Sequence, residues 1–430
     1  MRQLAKNHHN RSANSIELET LRGEINWLHE QLREIFQTHN QLKAAILSRQ
    51  MRSRLAEKTR QYDALLAQLE RQGTVATEVA GLSAHFDLDD WRVHAEHYLG
   101  QNWLALDYYL TETELFTVIV TPTSCQVHII PRTPRLALAL ENTHKANLLS
   151  ADDLAVLGAA LLPAVLEAHL TPKTIVLLAP HRNLHGLPWA ALQPGFAAQP
   201  FIKLCIPCVV PSLQSLRSLW ERAAAADQAS LEQGLVVGLS RFPNGQVELP
   251  AVRDEMKMLQ DKLGPEVGFL LEEQATWGQV QTLREQEPTR GLSRFAWLHF
   301  AGHAFSDPLT GRMGGFTLWD GDIRLDQLQD LHPLPQTMIF SACNSIFNYL
   351  YAGDEPVGLP TTSLIAGASR VIGSIWPILD HAGHDFTEVF YRYYRTGVSP
   401  AQAVALAQRT LIEHGAEMTS WASFTCVGLP

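Results

Sequence analysis

The spacing of apolar positions changes character along this chain. From Leu18 they run Leu18, Leu21, Ile25, Leu28, Leu32 and Ile35, in alternating steps of three and four. That is the a/d stripe of a heptad helix. The phase continues to Leu42 and Ile46, breaks, and resumes at a shifted register with Met51, Leu55, Tyr62, Leu65 and Leu69. No Pro or Gly interrupts residues 24–72. The pattern fits either one long helix with a register shift or a two-helix hairpin. Two good heptads fall short of the three or four that define a coiled coil. Such a stripe serves self-association or partner docking, or it packs on the body of the same chain. Residues 1–14, rich in His, Asn and Arg, read as a disordered tail. Residues 15–72 read as a coiled-coil-like helical arm, and 73–90 as a linker of small and polar residues.

Beyond Trp91 short apolar runs alternate with amphipathic stretches. Leu104–Tyr109 and Leu115–Val120 predict a strand pair turning at Thr111-Glu112. Residues 151–169 predict a helix opening on Ser150-Ala151-Asp152-Asp153, a capping sequence. Strands are expected at Thr174–Leu178, Phe201–Val210 and Leu235–Leu239, with a helix over Pro250–Leu263. Phe295–Phe300 and Thr337–Phe340 read as buried strands, with a hairpin between them at Gly315–Asp320 and Ile323–Leu325. A helix at Thr361–Ala368, a strand at Val371–Ile375 and helices at Ala382–Thr396 and Pro400–His414 complete the pattern. This alternation implies an α/β sandwich with a mostly parallel sheet, preceded by the helical arm.

Composition narrows the possibilities. The 430 residues allow two or three domains, and 46% hydrophobic with 18% charged residues is ordinary for a globular protein. The net charge of −10 argues against general nucleic-acid binding. It is unevenly spread. Residues 1–71 carry 12 Lys and Arg against 8 Asp and Glu, a balance of +4, which leaves −14 on the rest. A basic arm on an acidic body suits a protein partner. The N-terminus has no apolar core of signal-peptide type. Gly358–Leu379, the longest weakly charged stretch, contains Pro360, Arg370 and Pro377, and reads as a buried helix and strand, not a membrane span. A soluble, cytoplasmic protein is expected.

The five cysteines do not form a disulfide framework. Cys205 and Cys208 have C-x-x-C spacing, but they fall in a strand-like run followed by Pro211-Ser212, not at a helix start that would activate a thiol. Asp380-His381 with His384-Asp385 has helical metal-ligand spacing. A solvated helix start explains it better, as no third convergent ligand is readable, and His94 with His97 reads the same way. Cys343 and His303 differ. Each follows an apolar run through small residues, Ser341-Ala342 and Ala301-Gly302, and so falls just past a strand end. Ligand and catalytic residues of α/β sheets sit there. One thiol and one imidazole are the minimum apparatus of cysteine acyl transfer. His299, inside its strand, reads as a buried, hydrogen-bonded histidine.

Five ordered segments carry a resemblance: Leu187–Leu192 (LPWAAL), Leu298–His303 (LHFAGH), Ile339–Ser345 (IFSACNS), Gly358–Asp380 and Trp421–Phe424 (WASF). Together they resemble the CHAT domain, a caspase- and separase-related cysteine peptidase family of clan CD, over roughly Leu104 to Pro430. The resemblance implies a caspase–hemoglobinase-like three-layer sandwich. A non-catalytic caspase-like half is expected over 91–230 and a catalytic half over 231–430. It implies a Cys343/His303 dyad, an oxyanion hole from the backbone N–H groups of Ala304 and Cys343, and no metal or organic cofactor. The family usually has glycine where this chain has Ala304. Alanine keeps the N–H but disfavours φ above zero, so a less well-formed hole is expected. In separase-like relatives an acidic residue after the strand Gly373–Trp376 lines the primary pocket, and Asp380 holds that position. The same carboxylate would also suit a helix cap near Ala382.

The leading expectation is a regulated cysteine endopeptidase that acts on a protein substrate through an acyl-enzyme. An activating partner or self-association would work through the arm. The alternative is an inactive pseudo-peptidase acting as a protein-binding scaffold. An acyl hydrolase of small thioesters or amides is also allowed by the chemistry.

Overall fold

The computed structural model describes residues 86–143, 149–226, 229–305, 315–346, 348–351, 355–378 and 380–430, with some positions between 17 and 65. The 1–14 tail, most of the 73–90 linker and Leu18, Ile25, Leu32 and Ile35 of the stripe lie outside the described residues. Contacts divide the chain into two units, residues 1–90 with 307–312 and 349–355, and the remainder of 91–430.

In the first unit the described residues of 17–28 and 50–65 are helical. Lys58 Nζ lies 2.6 Å from a Glu24 carboxylate oxygen. At 1.5 Å per residue a straight helix would hold these positions roughly 50 Å apart. Glu24 and Lys58 are therefore closer than one straight helix over both would allow. Leu21 and Leu28 of the stripe are buried, while Trp27 beside them is exposed.

The strands of the second unit begin with Trp103–Leu110 (β1), Glu114–Val120 (β2), Cys125–Pro131 (β3), Ile175–Ala179 (β4) and Ile206–Val209 (β5). Gly234–Gly238 (β6), Gly268–Leu271 (β7), Trp297–Ala301 (β8), Ala304–Phe305 (β9), Gly315–Leu318 (β10) and Gly321–Arg324 (β11) follow. Thr337–Ser341 (β12) comes next, Asn348–Tyr351 (β13) falls almost wholly in the first unit, and Glu355–Gly358 (β14), Arg370–Ser374 (β15) and Phe424–Gly428 (β16) complete the strands. The helices are Leu88–Leu99 (α1), Pro134–Asn142 (α2), Ala151–Leu161 (α3), Leu213–Ala225 (α4), Pro250–Lys262 (α5) and Trp277–Glu285 (α6). Then come Leu325–Gln329 (α7), Leu359–Ile365 (α8), Asp380–Tyr394 (α9), Pro400–Glu413 (α10) and Met418–Trp421 (α11).

Among the described residues eleven strands form one sheet, in the order β3-β2-β1-β4-β5-β16-β15-β12-β8-β6-β7. β15, β12, β8, β6 and β7 are mutually parallel. β16 is antiparallel to β15 but parallel to β5, and β5, β4 and β1 are parallel. The two halves of the sheet therefore run in opposite directions, and the carboxyl ends of β1, β4 and β5 open at the edge opposite those of β8 and β12.

Every residue of β8 and β12 is buried, because both faces of the sheet are covered. Alternate side chains point to opposite faces. His299 meets Glu255 of α5 and Tyr391 of α9 on one side. Phe300 packs on Phe316 of β10 on the other, with ring centroids 4.6 Å apart. The result is a three-layer α/β sandwich.

Two expected boundaries shift. The capping box at Ser150 and Asp153 starts α3 as the sequence suggests, but the helix ends at Leu161, not 169. Pro163 has no N–H to continue it, and the chain goes on as a 3₁₀ turn over Ala164–His169. The run Phe201–Val210 resolves into a 3₁₀ turn at Phe201–Lys203 followed by β5. Continuous burial erases the alternation that would separate the two.

Candidate active site

β8 and β12 are direct neighbours in parallel register, from Thr337 opposite Trp297 to Ser341 opposite Ala301. The Gly302 N–H donates to the Ser341 carbonyl at 3.4 Å as the last rung. His303 and Cys343 therefore each lie two residues past paired strand ends, on strands about 4.8 Å apart.

His303 is held by the loop between β6 and α5. Its Nε2 donates to the Val247 carbonyl at 2.8 Å, and its ring packs on Phe242 with centroids 4.5 Å apart. A carbonyl only accepts, so Nε2 carries the hydrogen, and in the neutral ring Nδ1 carries the lone pair. The loop is braced at its base. Leu249 N–H donates to the Ser240 carbonyl at 2.9 Å, and Ser240 Oγ donates to Glu272 Oε1 at 2.5 Å. Nothing in the sequence marks Val247, since its contribution is a backbone carbonyl that any residue supplies.

Cys343 is half-buried, and its thiol donates to the Ile378 carbonyl at 3.6 Å. The turn that carries it is stitched to the end of β15. Ser345 Oγ accepts from Ser374 N–H at 2.9 Å, and Ser374 Oγ donates to the Ala342 carbonyl at 2.8 Å. Asn344, next to the cysteine, is left-handed with φ 53°.

Ala304 starts β9, the edge strand of a three-stranded sheet with β10 and β11. Thr317 N–H donates to the His303 carbonyl at 2.9 Å, and Ala304 pairs with Phe316. Hydrogen-bonded and non-bonded pairs alternate in an antiparallel ladder, so the Ala304 N–H points away from β10. Among the described residues the non-glycine positions with positive φ are Arg182, Glu272 and Asn344. Ala304 is not one of them, so the expected penalty for alanine at this position is absent: strand backbone suits it.

Asp380 opens α9, and its side chain lies outside the described residues. His299 is fully buried, with Nε2 2.9 Å from Glu255 Oε1 and Nδ1 3.3 Å from the Tyr391 hydroxyl. Burial pushes the Tyr391 phenol well above its ordinary pKa. Cys205 and Cys208 are fully buried. Burial is the main cause that pushes up the Cys205 thiol, and contact with Cys426 leads for Cys208. Both are free, buried thiols. Among the described residues no three His, Cys, Asp or Glu side chains converge as a metal site.

The family model of the CHAT domain matches residues 151–429. The chain belongs to the CHAT domain family. Among solved structures, Saccharomyces cerevisiae separase, in a separase–securin complex, is similar at 13% identity and a TM-score of 0.54, over 97% of this chain and 40% of that one. The CHAT chain thus spans two fifths of the separase chain it matches, and the likeness is one of caspase-like fold. The Arg-specific cysteine proteinase gingipain R matches at 11% identity and a TM-score of 0.42, over 69% of this chain and 74% of that one. A complex of Porphyromonas gingivalis RgpB pro- and mature domains matches at 11% identity and 0.40, over 70% and 75%. No curated protein matches the sequence.

Proposed function

We propose that this CHAT protein is a cysteine endopeptidase that cleaves a protein substrate through Cys343 and His303. The observation that carries the reading is the register of β8 and β12, which ends both strands side by side with the imidazole and the thiol at equal offsets. His303 Nδ1 takes the thiol proton, while the Val247 carbonyl keeps Nε2–H in place. The thiolate adds to the peptide carbonyl, and the N–H groups of Ala304 and Cys343 receive the oxyanion. The imidazolium returns its proton to the leaving amine. Water, deprotonated by the same nitrogen, then releases the acyl group and restores the thiol.

Asp380 is the proposed floor of the primary pocket. A carboxylate there pairs with an arginine or lysine side chain and repels an acidic one. Cleavage after a basic residue is expected. The helical arm of residues 15–72 and the linker of 73–90 are proposed as the segment through which a protein partner or a second copy regulates the body of 91–230 and 231–430. Separase offers a parallel, having been crystallised with securin. Among the described residues no helix is long and apolar enough to cross a membrane, and a cytoplasmic location is proposed.

One observation favours a second reading, a pseudo-peptidase scaffold: the Cys343 thiol rests on the Ile378 carbonyl. A thiol that donates to a carbonyl is the protonated form, and the nucleophile is the thiolate. Peptide-library profiling of the wild type, Cys343→Ala and His303→Ala separates the two. The peptidase reading expects cuts after Arg or Lys that vanish in both variants. Absence of any Cys343-dependent cut contradicts it, and a preference for aspartate or a large apolar residue contradicts the role of Asp380.

A further inference from the structure

A polar cluster that the proposed chemistry does not use lies beneath the site. Glu255 of α5 is completely buried. Its Oε1 accepts from His299 Nε2 at 2.9 Å and from Thr387 Oγ1 at 2.8 Å, and its Oε2 accepts from Ser341 Oγ at 2.9 Å. A carboxylate only accepts, so Nε2 bears the hydrogen it gives to Glu255, and the Tyr391 hydroxyl lies 3.3 Å from Nδ1 on the other side of the ring.

The three donors come from the three elements that meet at the site. Ser341 is the last residue of β12, two before Cys343. His299 lies in β8, four residues before His303. Thr387 lies in α9, which starts at Asp380, two residues after the carbonyl that holds the Cys343 thiol. An apolar side chain at 255 would fill the same space without direction. A carboxylate satisfied by directional donors fixes one arrangement of the elements around it.

We propose that Glu255 is a positioning residue for the Cys343–His303 pair, its carboxylate setting the cysteine strand, the histidine strand and α9 relative to one another. The inference rests on the peptidase reading and deepens it. It assigns Glu255 no contact with substrate. Gly383 gives it a steric handle. A Cβ at Gly383 would stand 2.9 Å from Ser341 Oγ and 3.8 Å from Glu255 Oε2, close enough to push the hydroxyl off the carboxylate. Helix propensity favours alanine at such a position, so this variant does not begin from a weakened helix.

The test is the pH profile of Cys343 alkylation by iodoacetamide, followed by peptide mass spectrometry, in the full chain. Wild type, Glu255→Gln, Ser341→Ala and Gly383→Ala are compared, with thermal melts alongside. An activated thiol in the wild type reacts with a midpoint well below about 8.5, the ordinary thiol value. The positioning role expects the midpoint to rise toward that value in the variants. Alkylation at pH 6.5 should fall roughly 10- to 100-fold, the scale of a small misplacement of a reacting group, and kcat should fall with KM nearly unchanged. A purely structural cluster would lower melting temperatures and leave the profile of the folded variants unmoved, which overturns the inference and spares the peptidase reading. A wild-type midpoint at the ordinary thiol value overturns both. If Glu255→Gln fails to fold, Ser341→Ala and Gly383→Ala decide by the same criterion.

Discussion

Asn344 follows Cys343, the proposed nucleophile, in the left-handed region, where its short polar side chain costs less than most. Asn344→Gly should keep both stability and cleavage. Asn344→Val should lose about 1–2 kcal/mol or more in a thermal melt, and activity with it. Equal behaviour of the two variants would show that the turn geometry is unimportant. At Ala304 the strand conformation removes the reason to want glycine, so Ala304→Gly should bring no gain in turnover. Proline is tolerated on an edge strand where the N–H faces outward. Ala304→Pro should therefore fold, yet lose roughly 100- to 1,000-fold in kcat through the missing donor. Full activity of Ala304→Pro removes Ala304 from the oxyanion hole. Cys343 and His303 are legible in the sequence because small residues after apolar runs mark strand ends. Glu255 is not. Its spacing from Val252, Met256 and Leu259 puts it on the buried face of the helix, but the sequence does not say what a carboxylate there meets, which the packing of α5 against His299 and Ser341 does.

At the scale of elements, β1 carries a half-buried carboxyl, Asp107, between the buried Leu106 and Tyr108. Burial raises the Asp107 pKa from 3.8 to about 6, against a backbone hydrogen bond at Tyr108 that lowers it. The folded state thus resists ionisation that the unfolded state undergoes near 3.8. Stability contributed by the protonated carboxyl is present in acid and is lost as pH rises through about 6. Asp107→Asn should accordingly stabilise the protein by about 2–3 kcal/mol at pH 7–8 and by little near pH 3, read from denaturant melts across that range. An unchanged melt at pH 8 contradicts this. Elements with strong signals, such as the capped helix at Ser150 and the buried strands β8 and β12, are readable. β3 is not, because its Val127 and Ile129 are exposed and its turn carries no glycine. The ends of α3 and β5 are likewise set by Pro163 and by a buried 3₁₀ turn that apolar periodicity does not report.

For the molecule as a whole, the alternation of strands and helices shows an α/β sandwich, and the ordered motifs show the family. Strand direction is another matter. The opposite run of the two half-sheets depends on β16 pairing antiparallel with β15 and parallel with β5, contacts between segments far apart in sequence. It keeps the strand ends of β1, β4 and β5 away from the edge that carries Cys343. The arm shows the converse. Its stripe is legible, but the Glu24–Lys58 contact, closer than one straight helix allows, is not. Deleting residues 1–72 should leave a cooperatively melting body and change its assembly or its activation. Sedimentation and cleavage that are identical with and without the arm would remove that role.

The central claim is that Cys343 and His303 act as one catalytic unit. Labelling the full chain with a peptidyl acyloxymethyl ketone bearing arginine at the cleavage position, read by intact mass and peptide mapping, tests it most directly. A single adduct on Cys343, absent in Cys343→Ala and slowed at least 100-fold in His303→Ala, is the expected result. Labelling that survives Cys343→Ala, as through the exposed thiol of Cys125, or that keeps its wild-type rate in His303→Ala, would contradict it.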